Sequence, residues 1–234
     1  MKMAVLGVGA HPDDLEISCG GTLAKYARMR HRVVMVCMTD GRYGRLHAPA
    51  RMMRIREREA RSAAKIIGAE LVWLGHSDLG LRDDFRLRME LADLIRQVGP
   101  GVIITHAPNG LNPDHRTTSK IVCDALIPAF TRTLKLKHRA CREMPVLYYM
   151  STVGGTDFNP EEYVDISDLI RIKLKMLARH ESQVEIYRRY EKRDFLEFVE
   201  AAAMVDGFRC GVKYAEGFRK LHSWMQNRPC RLLP

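Results

Sequence analysis

Nothing in the sequence approaches the roughly 20 consecutive apolar residues that a membrane-spanning helix requires, so no spanning segment is expected. The apolar stretch after Lys2 stops at His11, too short for a secretory leader with its cleavage region. Cys19, Cys37, Cys123, Cys141, Cys210 and Cys230 are scattered and form no CxxC pair, which argues against a disulfide framework and for thiols in a reducing compartment. A cytoplasmic protein is the expectation. Internal repeats, low-complexity tracts and linker-like segments are also missing, so residues 1–234 are expected to form one domain. The most basic stretch carries Arg132, Lys135, Lys137, His138, Arg139 and Arg142 without an interleaved aromatic side chain for base stacking. It reads as an exposed connection, and neither nucleic acid nor membrane is expected as a partner.

What remains is a globular composition, 46% hydrophobic, with a net charge of +10 that permits anionic partners and selects none. Strand-length apolar runs alternate with helical patterns through the first half. Strands are expected at 3–9, 32–39, 70–74 and 102–105, and helices at about 17–30, 50–67, 84–98 and from near Arg116 onward. Gly99-Pro100-Gly101 stops the third helix. In the second helix Arg51, Arg54, Arg58, Arg61 and Lys65 share one face, read as solvated, while Ile55, Ala63, Ile66 and Ile67 can bury. Beyond residue 130 the pattern loosens to a strand at 145–150, a loop marked by Gly154, Gly155 and Pro160, a long amphipathic helix from Asp168 through Tyr190, and a helix at 193–205. Such alternation predicts an α/β fold with a mostly parallel sheet covered on both faces.

The first strand ends at His11-Pro12-Asp13-Asp14, which places one imidazole and two carboxylates at a strand's carboxyl end, where open α/β sheets form their crevice. A polar turn would also account for this tetrapeptide taken alone. A second polar group, Asn112-Pro113-Asp114-His115, follows the fourth strand, and parallel strands bring their carboxyl ends together. Three functions compete. Gly7 and Gly9, with Asp40 ending the second strand, suggest a dinucleotide site, but Pro12 stands where the third glycine would fall and Asp13 and Asp14 would repel a pyrophosphate. An anion binder explains the charge but not the polar clusters. A metal-dependent hydrolase explains both clusters. His11, Asp14 and His115 form a two-imidazole, one-carboxylate set of the kind that holds catalytic zinc and leaves a position for water. Asp13, beside a ligand but free of the metal, can take that water's proton.

These residues resemble the LmbE-like (PIG-L) zinc-dependent N-deacetylases. The likeness rests on Ala10-His11-Pro12-Asp13-Asp14-Leu15-Glu16 with Gly20-Gly21, and on Asn112-Pro113-Asp114-His115. It extends through Thr39-Asp40-Gly41, residues 56–68 and 74–81, Asp165-Ile166-Ser167-Asp168, His180-Glu181-Ser182-Gln183 and Tyr214-Ala215-Glu216-Gly217-Phe218. Length and ending are most similar to the bacillithiol-type N-acetylglucosaminyl deacetylases. The resemblance implies a Rossmann-like three-layer sandwich, one Zn2+ per subunit on His11, Asp14 and His115, and Asp13 as general base. It also implies Arg56 in substrate binding, an N-acetylglucosamine-type substrate, and a homo-oligomer, in several members a hexamer.

At Asn112 the family commonly has a histidine, paired with the aspartate that matches Asp114 to stabilise the oxyanion. Asparagine donates only a neutral hydrogen bond, so a weaker enzyme or another donor, with His106 and Asn109 as candidates, follows. Tyr43 and Arg45, in a loop on the same edge, are candidates for contact with the sugar or an anionic aglycone. The expected reaction is release of acetate from an acetylated amino sugar. An amidase for another amino-sugar conjugate, and a weakly active or non-catalytic anion-binding member, are the alternatives.

Overall fold

The computed structural model describes residues 2–44, 46–151, 157–227 and 232–234. Five parallel strands come first, β1 (Ala4–Gly9), β2 (Arg32–Thr39), β3 (Glu70–His76), β4 (Val102–His106) and β5 (Val146–Met150). Two more, β6 (Glu162–Asp165) and β7 (Ala215–Lys220), complete a seven-stranded sheet in the order β3-β2-β1-β4-β5-β7-β6. β7 runs antiparallel to both β5 and β6, so the sheet is mixed and mostly parallel, as expected.

Side chains of successive strand residues enter opposite cores, which is why these strands are apolar at nearly every position. Val5, Val33, Met35, Val102 and Ile104 pack on one face beneath α1 (Asp14–Arg28), α2 (Pro49–Ile66), α5 (Ile170–Leu177) and α7 (Phe195–Cys210). Leu6, Val34, Val36 and Ile103 pack on the other beneath α3 (Phe85–Val98) and α4 (Pro113–Phe130). The basic stripe of α2 is solvated, with Arg51, Arg54, Arg58, Arg61 and Lys65 all exposed.

From β1 the chain moves outward through β2 to β3, then returns to pair β4 on the other side of β1. The connections following β1 and β4 therefore diverge to opposite faces, and a crevice opens between their carboxyl ends. Gly9 fits this junction by size. A Cβ there would lie 3.2 Å from the side chains of Asp14 and Leu15, so the missing side chain lets the first turn of α1 close onto β1. The glycines of β1 thus serve helix-on-strand packing.

Three expectations need correction. The fourth helix begins at Pro113, three residues before the predicted start, because Asn112 caps it and proline suits a first helical turn. The long helix expected from Asp168 to Tyr190 is broken. α5 ends at Leu177, α6 (Glu181–Ile186) begins after His180, and a π-helical turn covers Tyr187–Glu191. The break lets the His180 ring bury completely against Glu16, while the backbone N–H and hydroxyl of Ser182 donate to Glu59 on α2. The tail read without a strand contains β7, whose buried Glu216 hides the apolar signal. Glu216 accepts from Lys173 Nζ at 2.5 Å and from the backbone N–H groups of Gly21 and Thr22, so its charge is matched inside the core. Trp224 is 82% exposed.

Candidate active site

The crevice collects residues from the loops after β1, β2, β3 and β4. His11 to Asp13 form a tight turn in which the N–H groups of Asp13 and Asp14 point to the His11 carbonyl. The His11 backbone N–H donates to Asp14 Oδ2 at 2.6 Å. Asp13 adopts φ 153° and ψ −18°, a conformation that non-glycine residues rarely take and that costs about 1–3 kcal/mol. The turn is held open nonetheless, because the guanidinium of Arg56 reaches in from α2. Its Nη2 donates to the Pro12 carbonyl at 2.7 Å and to Asp13 Oδ1 at 3.0 Å, and only 3% of Arg56 is exposed.

Three predicted ligands converge. His11 Nδ1 lies 3.1 Å from His115 Nε2 and 3.4 Å from Asp14 Oδ2, and Asp14 Oδ1 lies 3.2 Å from His115 Nε2. All three donor atoms fall within 4.8 Å of one another. Two imidazole nitrogens cannot face each other at such a distance without a proton or a cation between them, and a carboxylate completes a donor set suited to a divalent transition metal. The residues fit a metal.

Electrostatics agree. Burial alone would raise the carboxyl of Asp14, but His115, His106 and His11 hold it well below the usual range. Burial would likewise discharge His11, yet Asp14, with Asp114 and Asp78, raises the imidazole well above its ordinary value. The cluster keeps positive charge at its centre. On Asp13 burial outweighs the pull of Arg56, and with repulsion from Asp14 its carboxyl rises above its ordinary 3.8. This is the direction a general base needs.

Around the trio stand Asp78, which the sequence reading passed over, and Asp114 and His106, which it named for the oxyanion. Asp78, from the loop after β3, places Oδ1 3.3 Å from His11 Nε2, and Asp114 Oδ2 lies 3.4 Å from the same nitrogen. These two carboxylates face the far side of the ring and leave Nδ1 for the cation. Asp78 is itself held by the Tyr43 backbone N–H at 3.1 Å, and Asp114 by that of Leu79 at 2.7 Å. His106 stacks on His115 with centroids 4.0 Å apart, and its Nε2 lies 3.0 Å from the Ala10 amide and 3.1 Å from Asp14 Oδ2. Burial, then the charge of His115, lower its pKa to about 4, so it is a neutral brace. With that nitrogen engaged, His106 is a poor candidate for the missing oxyanion donor. Glu59 and His180, three residues from Arg56 and near Asp13 respectively, complete the packing behind the base.

Of the other candidates, Asn112 Oδ1 accepts from the Asp114 N–H at 2.9 Å as the cap of α4. Asn109 is exposed in the same loop. The Tyr43 side chain is 52% exposed at the rim. Arg45, Gly154, Gly155 and Cys230 lie outside the described residues. The five described cysteines are unpaired, and among the described residues no helix is long and apolar enough to cross a membrane.

Diacetylchitobiose deacetylase of Thermococcus kodakarensis is 29% identical over 230 residues, spanning 92% of this chain and 82% of that protein. A 4-oxalmesaconate hydratase of Pseudomonas putida is 24% identical, spanning 94% and 90%. Among solved structures, N,N'-diacetylchitobiose deacetylase of Pyrococcus horikoshii, complexed with its inhibitor MPG, superposes with a TM-score of 0.82 at 28% identity. That match covers 94% of this chain and 84% of the other. The family model described as PIG-L, GlcNAc-PI de-N-acetylase, matches residues 6–126, a span that includes His11, Asp13, Asp14, Arg56 and His115, and the chain belongs to that family.

Proposed function

We propose that this protein is a zinc-dependent hydrolase that removes the acetyl group from the amine of an N-acetylglucosamine-type sugar or conjugate. One observation carries the reading. The donor atoms of His11, Asp14 and His115 converge beside an aspartate, Asp13, that is ion-paired to Arg56 and left out of the donor set. His11, Asp14 and His115 would hold the metal. When bound, the metal supplies a lowered pKa for water and polarisation of the acetamide carbonyl.

Asp13 takes the proton of the attacking water as its oxygen bonds to the carbonyl carbon. It returns that proton to the nitrogen as the carbon–nitrogen bond breaks, giving acetate and the free amine. Arg56 keeps Asp13 ionised and aimed. Asp78 and Asp114 orient the His11 ring. Asn112, whose Oδ1 serves the helix cap, has its amide N–H groups to offer the developing oxyanion, so a modest oxyanion contribution from this residue belongs to the proposal. A single domain over residues 1–234 is part of the same reading, supported by one sheet that draws strands from Ala4 to Lys220. So are assembly into a homo-oligomer and residence in the cytoplasm.

Acetate release from a panel of N-acetylated amino sugars, before and after chelation and again after zinc is restored, tests the assignment. Acetate rather than water uptake is the readout, because hydration of a carbon–carbon double bond also uses an activated water and yields no acetate. Chelator-sensitive acetate release supports the proposal. A zinc-loaded protein that releases acetate from no member of the panel contradicts it.

A further inference from the structure

Three loops bring apolar side chains to the mouth of the crevice. Leu111 is 98% exposed, Leu79 63% and Tyr43 52%. Single exposed apolar residues are ordinary on protein surfaces. These three differ in how they are fastened. The Tyr43 N–H donates to Asp78, the Leu79 N–H donates to Asp114, and Leu111 directly precedes Asn112, the residue that caps Asp114. Tyr43 and Leu79 are thus one hydrogen bond, and Leu111 three residues, from the carboxylates that face His11.

One of them is also presented against the local preference. Leu79 has φ +56°, a left-handed conformation for which this chain uses glycine at Gly41 and Gly75. A leucine there accepts backbone strain and places its side chain in solvent. Leu111 belongs to a loop held by Arg116, whose Nη1 donates to the carbonyls of Gly110 and Leu111 at 2.6 Å each. Among the described residues, Arg42 is paired to Asp40 and Arg116 is bound to those two carbonyls.

On the deacetylase reading, which this inference presupposes, we propose that the substrate carries an apolar aglycone, an alkyl, acyl or aryl group attached to the amino sugar, and that Tyr43, Leu79 and Leu111 bind it. Sugar and acetamide occupy the crevice, and the apolar group lies across the rim.

The test compares octyl and methyl glycosides of N-acetylglucosamine on the zinc-loaded protein, the octyl compound kept below its micellar concentration. Partial burial of the added methylenes should raise kcat/KM at least about tenfold for the octyl glycoside, mainly by lowering KM. Leu111→Ser and Leu79→Asn should shrink that ratio, asparagine being chosen because it tolerates the left-handed backbone. Thermal melts check that both variants fold. Calorimetric binding of the two glycosides to Asp13→Asn gives the same comparison without turnover. Hydrolysis of both glycosides with a ratio near one overturns the apolar subsite and leaves the deacetylase reading intact. Acetate from neither glycoside overturns both. Variants that change the oligomeric state but not the ratio assign these side chains to contacts between copies, and the subsite falls.

Discussion

Replacing Arg56 by methionine keeps most of the buried stem and removes the charge that faces Asp13. Arg56 Nη2 lies 3.0 Å from Asp13 Oδ1, with both side chains almost wholly buried. At an effective dielectric of about 20, unit charges at that separation interact by about 5 kcal/mol. Water entering the vacated space reduces the loss, but even about a quarter of it is worth one pK unit. The carboxyl of Asp13 already lies above its ordinary 3.8, because burial outweighs Arg56, so losing Arg56 moves it further up. The acid limb of the kcat/KM profile, measured by acetate release from about pH 5 to about pH 9, should therefore shift to higher pH by about one unit or more. Stability should move with it. A carboxyl that binds its proton more tightly when folded favours the fold most below its unfolded pKa, and that contribution is lost as pH rises through the folded value. The melting temperature of Arg56→Met should then fall further behind the parent as pH rises. An unmoved acid limb together with a pH-independent gap in melting temperature would refute the argument that Arg56 sets the charge on Asp13.

Asp13→Asn should retain bound metal while turnover drops by about a hundredfold or more, and a near-normal rate removes Asp13 from the base role. His11→Ala and His115→Ala should each lose metal by elemental analysis, whereas unchanged content would exclude that residue as a ligand. Arg96 donates to the carbonyls of Ala129, Pro128, Thr131, Leu134 and His138, so it anchors the basic loop from within. Arg96→Met should lower unfolding stability by about 3 kcal/mol or more and expose residues 131–142 to protease, and an unchanged digestion pattern would contradict that anchoring.

Much of the architecture was legible because it is written in local periods. Apolar runs at strand length, the arginine stripe of α2 and the Gly99 stop each report a face or a terminus through neighbouring residues, and each is found where expected. The convergence of His11 with His115 was inferable from two polar clusters at the ends of two strands. Asp78 was not, because one aspartate in Ser77-Asp78-Leu79-Gly80 has the composition of any turn. His106 reads as a loop residue and a candidate oxyanion donor, and His180 as one position on an amphipathic helix. What marks them is the buried carboxylate each one meets, Asp14 and Glu16, supplied by another element. β7 escaped detection for the same reason, since Glu216 looks like a solvent residue until Lys173 is placed against it.

The sequence by itself determined the kinds of chemistry on hand, two histidines and several carboxylates at strand ends, together with alternating elements that force a sheet with both faces covered. Tertiary structure decided which of those groups meet. The order β2-β1-β4 sets the ends of β1 and β4 side by side, and α2 crosses above them to deliver Arg56. Those approaches join residues tens to more than a hundred positions apart, and their geometry depends on the packing of whole elements, a property that no short window of sequence encodes.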